Sequence, residues 1–353
     1  MHDSTNGLTR RAVLGKSVLG AAAALALPRF TGPAAAVTAE TVDIAAAKKE
    51  GKVVLYTSAP LSAAQQVANS FQQKYGIQVE LFRTGGVNVL RRFMMEQQAG
   101  HIGADVLVSS DPSAVQDLAA KGSFVSFHPV GIEHIPEALR DPEGFYVPQR
   151  MSVIAIYGRT DLIPPADMPK TWDDLLKPEF KGKMVMTNPS FTSLQLVVMA
   201  MMSKVRGWEY FEKLNKNDIT VVQGNEQALN LVKTGERPIA AGCDGQYASK
   251  ARLEGHKIAN VFPSDGTFMI PATTSVVKGS ANPNAAKLLA EFSLSQEAQA
   301  LWPKSGIYAA RTDVDPPSGN PRLSEIKSLP IDYAYVKKNT AAVKKKFSEI
   351  FSV

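Results

Sequence analysis

The sequence predicts an α/β protein of two lobes joined by more than one extended crossing. Three observations carry that reading. Strand-like and helix-like stretches alternate with short connections over most of residues 50–260. Two long extended stretches, 147–158 and 261–277, interrupt the alternation. The chain has 353 residues, is 44% hydrophobic and only 20% charged, which gives ample core for two lobes and excludes a wholly disordered chain.

The first lobe opens with a β-branched run at 52–56 (KVVLY), ending in Thr57-Ser58-Ala59-Pro60. Ala64, Val67, Ala68, Phe71 and Tyr75 then recur at helical spacing, and Gly76 stops that helix. A strand at 77–82 (IQVELF), a helix at 89–98 and a strand at 104–108 (ADVLV) follow. A helix at 113–120 is closed by Lys121-Gly122. This β-α-β-α-β order predicts a mostly parallel, helix-covered sheet. Asp141-Pro142-Glu143-Gly144 breaks the pattern before the first crossing at 147–158. A proline-containing loop leads to a short capped helix at Thr171-Trp172-Asp173-Asp174-Leu175.

A second series then begins. Strands are expected at 183–186, 219–222 and 239–242, and helices near 193–204, 209–214, 226–234 and 246–253. The second crossing, 261–277, holds Pro263, Gly266 and Pro271. Leu288, Leu289, Phe292, Ala298 and Leu301 share one face of a helix expected over 285–301. Beyond Arg311 the tail reads as loop, then as a Lys-rich helix near 333–351. The lobes expected are 40–148 with about 262–310, and 149–261 with about 311–353. Such lobes face each other across a cleft that closes about a hinge, and ligands of open α/β sheets sit at strand carboxyl ends.

Residues 1–39 read as a targeting segment rather than fold. Thr9-Arg10-Arg11 precedes a short Ala/Leu/Gly stretch interrupted by Lys16, then prolines and small residues, with cleavage expected after Ala36 or Ala39. A frayed amphipathic helix is the plain alternative. Paired arginines before a modest apolar stretch point to a twin-arginine signal, and so to export of a folded protein to the periplasm through the Tat translocase. The whole chain carries 39 Lys and Arg against 33 Asp and Glu. Without the four basic residues and Asp3 in 1–36, the net charge falls from +6 to +3. That balance gives no support to a nucleic-acid partner.

No phosphate-loop, zinc-protease, nucleophile-elbow or dinucleotide-binding pattern occurs, so no enzyme activity and no cofactor are expected. The lone Cys243 excludes an intrachain disulfide, and its setting after Ile239-Ala240-Ala241 reads as a buried strand end. What remains is a set of strand ends rich in hydroxyls and glycine: Thr57-Ser58, Arg83-Thr84-Gly85-Gly86, Ser109-Ser110-Asp111, Asn188 to Ser193, and Asp244-Gly245-Gln246-Tyr247. Any one of these reads as plain N-capping. Their recurrence at equivalent places in both halves points to a binding cleft that suits anions.

Several strings resemble one family. They are KEGKVVLY at 49–56, GADV at 103–106, PKTWDDLL at 169–176 running on to FKGK at 180–183, and SANPNAA at 280–286. Over almost the whole chain after the leader they are similar to the periplasmic solute-binding proteins of ABC importers, in the group that contains ferric-iron binders. The resemblance implies the type II two-lobed fold, with mixed, mostly parallel sheets, flanking helices and hinge strands. It implies a monomeric carrier that hands its small-molecule ligand to an inner-membrane permease. Ferric binders of the family place a histidine, a carboxylate and a tyrosine pair where this chain has Pro60, Ser110 and Gln246-Tyr247. Fe³⁺ prefers anionic oxygen donors, so iron would have to rely on Tyr247, Asp111 and Asp244. Other members carry phosphonates, sugar phosphates and small organic anions. For such a ligand the resemblance implies Ser190, Thr192 and Ser193 at an anion-holding helix start, and Ser58, Ser110 and Gln246 as neutral donors. Arg83 or Arg150 could add a charge-assisted pair, although Arg150 could equally be a solvated charge. Tyr247 would stack or hydrogen-bond, or simply edge the core. The expected ligand is a small organic anion, with ferric iron as the alternative and an exported α/β hydrolase or isomerase as the reading of another class.

Overall fold

The computed structural model describes residues 41–353, so the expected leader lies outside the described residues. Helix α1 (Ile44–Glu50) starts where the Asp43 carboxylate accepts the Ala46 N–H at 2.9 Å, and it stops at Gly51, whose φ of 72° few other residues adopt. Then come β1 (Lys52–Thr57), α2 (Leu61–Tyr75), β2 (Gln78–Arg83), α3 (Gly86–Gln98), β3 (Val106–Ser109) and α4 (Pro112–Ala120). β1 lies between β2 and β3 and is parallel to both. The helices cover this sheet because their apolar positions recur at 3.6-residue spacing: Ala64, Val67, Ala68 and Phe71 of α2 are all buried.

The pivotal element is β4 (Val147–Arg159), buried along nearly its whole length. After it come β5 (Met184–Thr187), α5 (Ser193–Arg206), α6 (Trp208–Lys216), β6 (Thr220–Val222), α7 (Asn225–Thr234), β7 (Ile239–Asp244), α8 (Gln246–Leu253) and β8 (Ile258–Val261). β9 (Met269–Val276) returns the chain, followed by α9 (Pro283–Leu294), α10 (Gln296–Gln299), α11 (Leu301–Lys304), β10 (Tyr308–Ala309) and α12 (Tyr333–Phe351). The strand order is β2-β1-β3-β9-β4-β7-β5-β6, with β8 and β10 also paired to β4. The first half of β4 pairs with β9 and β10 beside the first parallel strands, and its second half pairs with β7 and β8 beside the second set. The return crossing is fastened to it: the Ile154 N–H donates to the Phe268 carbonyl (3.0 Å), and the Thr267 hydroxyl donates to the Ile154 carbonyl (2.6 Å).

Each strand group has apolar cores on both faces. In the first, Val53, Phe71, Phe292 and Trp302 fill one face, and Tyr56, Phe93, Leu107 and Phe124 fill the other. In the second, a methionine-rich cluster around Trp172, Met184, Met199 and Phe211 takes in Val336, Val343 and Phe347 of α12. Tyr157, Leu229, Val232 and Cys243 line the opposite face.

Four differences from the sequence reading have local causes. The helix expected over 285–301 is three helices, because Ser295 turns extended (ψ 152°) and its hydroxyl accepts the Ala298 N–H to start α10. The amide of Gln299, fully buried, then holds the Ala310 and Arg311 N–H groups and the Gln149 and Ser293 carbonyls, fixing the bend. α1 and the short β8 and β10 went unread, since seven, four and two residues show too little periodicity.

The strings that carry the family resemblance are scaffold. Asp105, 2% exposed, accepts from the Val54 N–H, the Ser280 hydroxyl and the Asn282 amide. Glu50 accepts from Asn284 and Ala285. Trp172 is buried and its ring N–H donates to the Gly266 carbonyl, while Asp174 holds the Lys170 and Thr171 N–H groups.

Candidate functional site

Because β4 holds both strand groups, their carboxyl ends converge on one cavity of about 340 Å³. β1 contributes Ser58, β2 contributes Arg83 with Gly85 and Gly86, and β3 contributes Ser110. On the facing wall Thr192 and Ser193 start α5, Gly224 and Asn225 start α7, and Asp244, Gln246 and Tyr247 lie at the end of β7. The walls approach closely: a Cβ on Gly86 would stand 3.0 Å from the Ser193 hydroxyl, a tight contact from which that hydroxyl would have to shift. Hollows of about 540 and about 390 Å³ lie elsewhere, one among surface lysines and one behind β4 at Met151 and Tyr308. Neither holds an unpaired buried charge.

The smaller cavity does. Arg150 is 2% exposed, and burial pulls its guanidinium down to about 10. One nitrogen donates to the Ser110 hydroxyl at 3.0 Å, and that hydroxyl lies 3.2 Å from the Ser58 hydroxyl. Nε and Nη1 have no hydrogen-bond partner. No carboxylate closes on the guanidinium, and the Trp302 ring lies 5.7 Å from it. The α3 and α7 N-termini open on the cavity from glycine caps, Gly85 and Gly224, with no side chain occupying their N–H groups. Asp244 is 1% exposed and burial pushes it up to about 6. It accepts from the Gln246 backbone (3.2 Å) and side-chain amide (2.8 Å). Burial also pushes the Tyr247 phenol well up, so it is a neutral hydrogen-bonding group at neutral pH. Cys243 is buried and pushed up to about 12, which leaves no reactive thiolate.

Of the residues singled out from sequence, Ser58, Ser110, Arg150, Thr192, Ser193, Gln246 and Tyr247 line this cavity. Asp111 does not: its carboxylate accepts the Ala114 N–H and caps α4. Ser190 is exposed outside the cavity, its N–H donating to Asn188. The iron set is therefore divided, with Asp244 and Tyr247 on the cavity and Asp111 off it. Among the described residues no group of three or more His, Cys, Asp or Glu is placed to hold a metal. Sequence reasoning missed the Gln223-to-Gln227 segment and Ser152. The first stands at a strand end like the others, and applying the same rule to the short β6 finds it. Ser152 sits inside β4, where nothing in the sequence marks it.

A family model for bacterial extracellular solute-binding proteins matches residues 103–339. The putative 2-aminoethylphosphonate-binding periplasmic protein of Salmonella paratyphi A is 28% identical over 260 residues, 70% of this chain and 74% of that protein. The periplasmic binding protein AfuA of Actinobacillus pleuropneumoniae, solved with fructose-6-phosphate, superposes with a TM-score of 0.75 at 20% identity, covering 86% of this chain and 99% of that one. Iron-bound HitA of Pseudomonas aeruginosa gives 0.72 at 19% identity over 84% and 99%. These two likenesses establish the type II two-lobed fold.

Proposed function

The chain belongs to the bacterial extracellular solute-binding proteins, and we propose that it captures a small organic anion (a phosphonate, phosphate ester or carboxylate) between its lobes and delivers it to an ABC permease. The observation that carries the ligand class is Arg150. A buried cation with no carboxylate in contact costs several kcal/mol, since Asp244 across the cavity offsets the burial only in part, and an oxyanion on Nε and Nη1 removes that cost. Ser58, Ser110, Thr192, Ser193, Gln246 and Tyr247, with Arg83, surround the ligand; Asp111 and Ser190 serve the fold. The relatives named for 2-aminoethylphosphonate support an anion of this kind, whereas others are named for thiamine, a cation. In this reading the lobes divide within β4 and at the 262–268 crossing, capture proceeds by closure, and no bond of the ligand is made or broken. Residues 1–39 act as a twin-arginine leader that directs the protein to the periplasm.

A thermal-shift screen tests the reading, with phosphonates, sugar phosphates, small carboxylates and ferric citrate. A ligand at a hundredfold over its dissociation constant adds about 2.7 kcal/mol of stability. The expected result is a shift with an organic anion that Arg150→Met abolishes. A response to ferric citrate alone, lost in Tyr247→Phe, replaces the anion with iron. No response to any of these solutes overturns the anion reading.

A further inference from the structure

The cavity is lined by four charged side chains, and they are sorted by wall. Arg83 and Arg150 come from the strand group of β1–β3 and the first half of β4. Asp244 and Glu226 come from β7 and α7 on the facing wall. None of the four is in an ion pair. Asp244 is as deeply buried as Arg150, yet the two opposite charges face the same space without closing on each other. Unsatisfied hydrogen-bonding atoms follow the same division. The cation wall offers the donors Nε and Nη1 of Arg150, and the carboxylate wall offers Gln246 Oε1, a buried acceptor with no partner. Helix capping accounts for only part of this. Asp244 does hold the start of α8, but Glu226 makes no hydrogen bond to the start of its own helix.

A solute carrying only negative charge satisfies the first wall and is repelled by the second. A solute carrying both charges satisfies both walls and bridges the cleft as it closes. Resting on the anion reading above, we propose that the ligand is dipolar. Its oxyanion lies on Arg150, Ser110 and Ser58, and a protonated amine lies toward Asp244, Glu226 and Gln246 Oε1. These last three are then specificity residues that select amino-substituted anions over their plain counterparts.

Titration calorimetry on the purified protein with matched solutes tests this. The pairs are aminoethylphosphonate and ethylphosphonate, phosphoethanolamine and ethyl phosphate, and β-alanine and propanoate. Within whichever scaffold binds, the amine is expected to bind at least about tenfold tighter. Asp244→Asn and Glu226→Gln are each expected to shrink that ratio to about threefold or less, with the amine-free member bound as well or better. Glu226 is exposed, so its variant keeps the fold even if Asp244→Asn does not. Equal or tighter binding of the amine-free members overturns the dipolar ligand and leaves the anion reading standing. An amine preference unchanged in both variants overturns the assignment of these residues. No binding by any member overturns the dipolar ligand, while the anion reading stands or falls with the wider thermal-shift screen.

Discussion

Replacing Arg150 by methionine should move stability and affinity in opposite directions. At about 1.4 kcal/mol for each tenfold change in proton affinity, the fall of Arg150 from 12.5 to about 10 corresponds to roughly 3 kcal/mol spent on holding its charge in the empty cavity. The sign follows from its direction. The native state releases this proton more readily than the unfolded chain, so the cost is fully present below about pH 10 and disappears only above it. Methionine keeps the reach and volume and removes the charge. It also gives up the Ser110 hydrogen bond and the contact with Trp302, about 1 kcal/mol each. The net expectation is a ligand-free protein more stable by about 1 kcal/mol, a rise of a few degrees in Tm. Binding should suffer the loss of a buried charge-assisted pair, about 2–5 kcal/mol, which is about thirtyfold or more in Kd. Thermal unfolding without ligand and calorimetry with it read the two terms separately. A variant that is several degrees less stable and binds with unchanged Kd refutes the reasoning, because Arg150 would then be a structural residue satisfied by its surroundings.

Asp244 makes affinity depend on pH. Its raised value of about 6 means that its ionised form is disfavoured on folding, so it draws down stability as pH rises from about 4 to 6. The groups that face it are Arg150, Ser152, Gln246, Tyr247, Tyr157 and Cys243, with Glu226 on the same cavity. Calorimetry at pH 5 and pH 8 (about one pH unit or more on either side of the transition) should show the amine-bearing ligand weakening about tenfold more at the lower value than its amine-free counterpart, whose own phosphate or phosphonate titration is common to both, and Asp244→Asn should remove that difference. Gly86→Ala sets a methyl 3.0 Å from the Ser193 hydroxyl and should weaken binding several-fold, with partial recovery in the double variant with Ser193→Gly; additive effects would place the obstruction elsewhere. Asp105→Ala leaves the partly buried donors of Val54 and Ser280 and the buried Asn282 amide unpaired and should cost about 3–5 kcal/mol in denaturant unfolding, while affinity of the folded protein stays the same. Ser190→Ala should leave Kd within about twofold, the scatter expected for an exposed residue away from the cavity.

The alternation of strand and helix was legible because each element uses a short-range code. Phe71 follows Ala64, Val67 and Ala68 at helical spacing, and Gly51 and Gly76 stop helices where φ must be positive. The strand-end rule found most of the cavity lining for the same reason: in a parallel sheet, the residue after a strand is placed by that strand alone. Arg150 shows where that code stops. In sequence it sits in an extended run and could as well be solvated; its meaning comes from the pairing of β4 with β9 and β10, which is a contact across more than a hundred residues. Asp111 and Ser190 lie off the cavity for a related reason. A hydroxyl or carboxylate at a helix start serves a cap or a ligand equally well, and only the direction of the helix relative to the facing wall decides. The strings most characteristic of the family, around Asp105 and Trp172, tie loops to the sheets and touch no cavity residue through the hydrogen bonds described.

The most direct test of the account is a crystal structure of the protein with the tightest-binding organic anion from the screen. The account expects the oxyanion within hydrogen-bond distance of Arg150 Nε and Nη1, with the Ser58 and Ser110 hydroxyls beside it and the ligand spanning both walls. An anion bound away from Arg150, or a metal ion held by Tyr247 and Asp244 with the guanidinium still unpaired, would contradict it.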